Sequence, residues 1–187
     1  MKNSIKKILA ATLAAAMVFT VAPATAFAAG SKTSGTEIPE TKNETVDVDS
    51  KTVDAVTVDT TTAGASIKKI EVAKGAKTVN VPSSVTVNGV SVKVTKLANG
   101  ALKGVSAKVV LPTSITKLGN AFNGSKVSNV TIKTTKKLSV AKSAFKGYKG
   151  KKLTISLKSG KNYKANAAAL KKAAKAAGIK LVIKKTK

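Results

Sequence analysis

The sequence contains no cysteine, no histidine and no tryptophan. Without thiolate or imidazole it offers no soft-ligand site for zinc or copper. It also lacks the parts of a Ser-His-Asp or Cys-His catalytic set, and no disulfide framework can staple it. Arginine is absent too, so all 34 cationic side chains are lysines. Acid is scarce, with eight carboxylates in 187 residues. Seven of them lie between Glu37 and Asp59 and the eighth is Glu71, so nothing from Val72 onward carries an acidic side chain. Two carboxylates facing each other across a cleft are therefore excluded from that part of the chain.

Lysine is abundant where acid is missing. Eight of the 34 lysines precede residue 72, which leaves 26 after it. A region so charged repels itself and attracts any polyanion in its compartment.

The first residues have the pattern of an export signal. Lys2, Lys6 and Lys7 give a positive start, an apolar run follows from Ile8 to Val21, and small residues lead to cleavage after Ala26 or Ala28. The run is short for a membrane span and ends at Pro23. Residues 1–28 are expected to be a signal peptide, and the mature chain to be secreted or extracellular with no transmembrane segment. Residues 29–66 are rich in Ser, Thr, Gly and acid and have no Leu and no aromatic. An acidic, largely disordered linker is expected there. Val46-Asp-Val-Asp49 and Val53-Asp-Ala-Val-Thr-Val58 alternate like strand, however, and could pair with an edge of the next domain. By charge opposition alone, the linker could also fold back and screen the basic domain.

The domain at 67–187 repeats internally. Thr78-Val-Asn-Val81-Pro82 matches Lys108-Val-Val-Leu111-Pro112, and the frame recurs in Asn129-Val-Thr-Ile132 and Lys152-Leu-Thr-Ile155. A second element recurs in Ala101-Leu102-Lys-Gly104, Ala121-Phe122-Asn-Gly124 and Ala144-Phe145-Lys-Gly147. Leu111 to Ile132 is 21 residues, and Ile132 to Ile155 is 23. A period of roughly 20–29 residues marks a leucine-rich-repeat solenoid, whose units must stack to bury their apolar sides. The expected fold is mainly β with short helical turns. Val85 to Val94 is predicted to be an N-terminal hairpin cap turning at Asn88-Gly89. A C-terminal cap is predicted as a helix from Tyr163 to Ala177, with Ala167, Leu170, Ala174 and Ala177 as its apolar stripe, stopped by Gly178 and followed by a strand at Ile179–Ile183.

Val109-Val-Leu111-Pro112-Thr-Ser-Ile115-Thr-Lys-Leu118-Gly-Asn-Ala121-Phe122-Asn-Gly124 resembles the unit of the BspA-type bacterial surface leucine-rich-repeat family. The likeness extends over residues 79–157. Val105, Ser125 and Tyr148 stand where that family often has a polar or Cys residue, and its scattered acids are missing. The resemblance implies an exported attachment or recognition module without enzymatic activity, and names no ligand.

The lysines could simply keep a Val-rich domain soluble and blunt its strand edges. A mixed-charge surface would do that with less self-repulsion. The expected function is therefore adhesion to an anionic polymer of a cell wall or host surface, such as teichoic acid or a glycosaminoglycan. Candidate contacts are Lys133, Lys136, Lys137, Lys146, Lys149, Lys151 and Lys152 on the repeat turns, with Lys171, Lys172 and Lys175 on the last helix. Lysine is a flexible point charge, which suits diffuse contact with repeated anions. Sequence-specific nucleic-acid reading is disfavoured, since there is no arginine for guanine and Phe122 and Phe145 look like core. The alternative is a protein–protein adhesion module that grips a host or bacterial surface protein with its sheet. Ser-x-x-Lys pairs occur at Ser114/Lys117, Ser139/Lys142 and Ser143/Lys146, but the Ser-Asp-Asn and Lys-Thr-Gly companions are absent. No catalytic residue, metal or cofactor is expected.

Overall fold

A computed structural model describes residues 37–48 and 50–187. The expected signal peptide, residues 29–36 of the expected linker and Asp49 lie outside the described residues. Those described are mainly β, with one helix near the C-terminus, and neither of the two main sheets closes into a barrel.

The chain opens with an antiparallel meander of β1 (Thr41–Asp47), β2 (Val53–Thr61) and β3 (Gly64–Val72). This corrects the expectation of a largely disordered linker over 29–66, and the proposed boundary at 66/67 falls inside β3. Composition misled because it counted Thr as linker, whereas Thr and Val are β-branched and suit a pleated, half-buried surface. Val53, Val56 and Val58 are fully buried, and Ala65 and Ile67 of β3 lie beside them in the core. Removing residues 31–66, the obvious trial of the screening idea, would therefore take core with it.

β4 (Thr78–Asn80) leads to the expected hairpin of β5 (Ser84–Val87) and β6 (Val90–Leu97). Asn88 and Gly89 both take positive φ, 50° and 77°, as a two-residue primed turn requires. The hairpin is not the end of its sheet, as a cap would be. β6 pairs in parallel with β3, so the meander lies beyond it.

From there the chain alternates between two sheets. β7 (Lys108–Leu111), β9 (Asn129–Ile132), β11 (Leu153–Lys158) and β12 (Leu181–Thr186) join β4 in one sheet, ordered β12-β11-β9-β7-β4 and parallel throughout. The two-residue strands β8 (Lys117–Leu118) and β10 (Ser139–Val140) extend the other sheet in parallel from β6. Strand order thus follows chain order in both ladders after the hairpin.

Between the ladders the Ala-Leu and Ala-Phe turns also pair with one another. Leu102 N–H donates to Ala121 O at 3.0 Å, Phe122 N–H to Ala144 O at 3.3 Å, and Gly124 N–H to Gly147 O at 2.9 Å. Ala101, Leu102, Ala121, Phe122, Ala144 and Phe145 are all buried, and the two phenyl centroids stand 4.8 Å apart at 40°. That tilted geometry adds ring–ring attraction to the area buried. Gly124 and Gly147 have φ near 75° and also make room for the turn before. A side chain on Gly124 would crowd the Lys103 stem, and one on Gly147 would collide with the Asn123 carboxamide.

One register differs from the sequence reading. Leu111 lies beside Ile132 as expected, but Ile132 lies beside Leu157, two residues beyond Ile155. A shift of two keeps the same residues facing the core, so the apolar pattern fits both registers equally.

The helix α1 (Tyr163–Ala176) closes the end of the stack. Its buried positions are Asn166, Leu170, Ala173 and Ala174, while Ala167 and Ala177 are half-buried. Gly178 at φ 66° ends it, with Ile179 N–H returning to Ala174 O. Asn166 works as a substitute for the next strand. Its Oδ1 accepts from Leu138 N–H at 2.9 Å and its Nδ2 donates to Lys136 O at 2.9 Å. Asn166→Ala should cost about 1–3 kcal/mol, because it orphans buried backbone groups. Asn162→Ala, whose bond to Thr135 O is solvent-exposed, should cost less. Urea denaturation of the two variants checks the order.

Candidate polyanion-binding surface

Along each strand of the parallel sheet, alternate residues face the core. Val109 and Leu111 of β7, Val130 and Ile132 of β9, and Leu153, Ile155 and Leu157 of β11 are buried. The residues between them form outward rows across the sheet. One row runs Lys108, Asn129, Thr154, and the next Val110, Thr131, Ser156, Lys184. Beyond the ends of β7 and β9 the ladder continues, since Lys133 N–H donates to Leu111 O at 3.1 Å. The pairing of β9 with β11 ends at Ile132 and Leu157, and Lys133 and Lys158 are the residues that follow them; Lys158 pairs with Thr186. A solvent-open depression of about 580 Å³ lies here, lined by Lys108, Lys133, Lys158 and Lys187 together with Ile132 and the hydroxyl residues Thr113, Thr131, Ser156 and Thr186.

All ten lysines proposed from the sequence are exposed. The fold distributes them over separate elements. Only Lys133 lines the depression. Lys136 and Lys137 sit in the loop before β10, Lys146 and Lys149 on the last Ala-Phe turn, Lys151 and Lys152 just before β11, and Lys171, Lys172 and Lys175 on α1. Lys108 and Lys158 were missed. In the sequence reading Ser156 flanked Lys133, and the two-residue shift brings Lys158 there instead.

The other sheet carries a second like-charge pair. Lys96 of β6 and Lys117 of β8 are register partners, and both are exposed. Neighbouring strands stand about 4.8 Å apart, and like charges directly opposite each other are destabilising. Among the described residues the ion pairs are Lys68–Asp59 at 3.4 Å and Lys69–Glu71 at 2.9 Å, both within the β1–β3 meander. Asn43 joins the first pair, accepting from Lys68 Nζ at 2.6 Å and donating its N–H to Asp59 Oδ1 at 2.8 Å. The acid is thus used locally, and no acidic side chain follows Glu71 to neutralise the later lysines.

Tyr148 holds the Lys149–Lys152 loop. Its hydroxyl donates to Val127 O at 2.6 Å and lies 3.1 Å from Lys152 O. Gly150 lets the ring pass, since any side chain there would strike it. Burial raises the Tyr148 pKa above its ordinary value of 10.0. A raised folded-state pKa means that the folded chain holds the proton where the unfolded chain loses it. The stabilisation is then complete below pH 10 and is lost as pH rises through the raised value. The stability gap between wild type and Tyr148→Phe should accordingly be constant up to about pH 10 and shrink above it, as measured by chemical denaturation across pH.

Among the described residues no group of acidic side chains could hold a metal ion, and no helix is long and apolar enough to cross a membrane. The chain matches no protein-family model, no curated protein and no solved structure.

Proposed function

We propose that this chain is an exported, non-catalytic leucine-rich-repeat solenoid of the BspA kind that adheres to polyanionic polymers of a cell wall or host surface. The parallel ladders in chain order and the paired Ala-Leu and Ala-Phe turns support the repeat reading. The observation that carries the binding reading is the set of adjacent like charges. Lys96 and Lys117 are register partners, with the Asp59 carboxylate on the hollow beside them, whereas Lys108, Lys133 and Lys158 line one depression that has no acidic side chain on it. An anionic polymer would turn their mutual repulsion into attraction. In Ser114/Lys117 the serine Oγ is buried and the lysine exposed, which does not favour a working nucleophile–base pair.

The test is binding of the purified mature chain to immobilised heparin and to poly(glycerol phosphate) across a salt series. Both should bind at low salt, with log affinity falling linearly against log salt and release by about 0.5 M NaCl. Retention beyond that concentration would mean that contacts other than screened surface charge hold the polymer, and no binding at low salt would overturn the proposal. Export is checked separately: the intact mass of the released chain should correspond to cleavage after Ala26 or Ala28.

A further inference from the structure

We infer that the depression on the parallel sheet is a defined binding site for a linear polymer whose anionic groups are interspersed with free hydroxyl groups. Sulfated polysaccharides and polyol phosphates share that chemistry. The inference rests on the polyanion reading and gives it a place and a ligand class.

The argument starts from register. Lys133 and Lys158 follow the register partners Ile132 and Leu157 and both line the depression, so their two ammonium groups can share one anion. Lys108 stands four residues before the level of Lys133, or about 13 Å back along the strand direction at 3.3 Å per residue. Between these two cationic levels lies the row holding Thr131 and Ser156, which are direct register partners. The site therefore offers charge at both ends and hydroxyls between.

The two kinds of group select different chemistry. Lysine only donates hydrogen bonds, whereas threonine and serine hydroxyls both donate and accept. A sugar or polyol hydroxyl over Thr131 and Ser156 finds both partners, and anions on either side of it meet Lys108 and the Lys133–Lys158 pair. No aromatic lines the depression, so it offers no platform for stacking bases.

The first sheet has a hollow beside its own lysine pair, Lys96 and Lys117, but Asp59 is on its lining. A carboxylate there repels an anion. The second-sheet depression is lined by no acidic side chain, which is why the site is assigned to it.

The experiment compares two triple variants of the mature chain with the same loss of charge. One is Lys108→Gln/Lys133→Gln/Lys158→Gln and the other Lys171→Gln/Lys172→Gln/Lys175→Gln. All six lysines are exposed, and matched urea midpoints confirm equal folding. Affinities for heparin and for poly(glycerol phosphate) are measured at fixed salt. The sheet triple should lose about tenfold or more on at least one polymer, and the helix triple less than about threefold. The polymer with the larger loss distinguishes a sulfated-polysaccharide source from a polyol-phosphate source. Thr131→Val/Ser156→Ala should weaken that polymer but leave inorganic polyphosphate, which has no hydroxyl-bearing units, unchanged. Equal losses from the two triples, or a silent hydroxyl variant, would overturn the site while leaving polyanion adhesion standing. A wild-type chain that binds neither polymer would sink both.

Discussion

Two-residue strands cannot hold themselves, and β8 and β10 are that short. They exist because the neighbouring turns of the chain share backbone hydrogen bonds. Thr116 N–H reaches Thr95 O, Gly119 N–H reaches Leu97 O, and Ser139 and Ala141 N–H reach Thr116 and Leu118 O in their turn, all within 3.0 Å. The Ala-Leu and Ala-Phe turns carry a third ladder of the same kind. Phe122 and Phe145 on these turns are buried in the core and pack against each other. Every outward side chain is then placed by pairing with its neighbours, because a slip of one residue would turn the buried row to solvent.

Such a stack has two open ends, and the ends are closed differently. At the N-terminal side β3 pairs with β6, and the antiparallel meander supplies an ordinary sheet whose Val53, Val56 and Val58 join the common core. At the other side α1 covers the loop before β10, where Asn166 presents an amide to backbone groups that would otherwise face another turn. This division also sorts the charge. Acid and its two lysine partners stay in the meander. The later strands and the helix carry uncompensated lysine.

Several features were legible from the amino-acid pattern. Asn88-Gly89 specified the hairpin, Gly178 the end of the helix, and the Ala-Phe pairs with their following glycines the buried turns. Others were not. The meander was hidden because its Thr- and Asp-rich composition resembles that of a solvated linker. Its strands pair with one another, and β3 pairs with β6, so the segment joins the rest of the sheet. Asn166 was overlooked because a polar residue on an apolar stripe has no meaning until the carbonyl and amide opposite it are known. The step from β9 to β11 was misjudged by two residues because Ile155 and Leu157 are interchangeable as core. Of the ten lysines singled out, Lys133 alone lines the sheet depression, since the pattern gave charge but not register.

The two-residue shift separates what folding requires from what it leaves free. Buried Leu153, Ile155 and Leu157 satisfy the core in either register. The outward residues differ: one register sets serine beside Lys133 and the other sets Lys158 there. A carboxylate at that place would form a cross-strand ion pair worth roughly 0.2–1 kcal/mol, where lysine instead incurs repulsion. Folding alone therefore gives no reason for lysine at 158. Solubility gives no reason either, since one carboxylate among 26 lysines would scarcely change the net charge. On the proposed reading, an anion shared between neighbouring ammonium groups supplies the missing term, because a ligand that binds only the folded chain stabilises it by an amount that grows with the logarithm of its concentration relative to its dissociation constant.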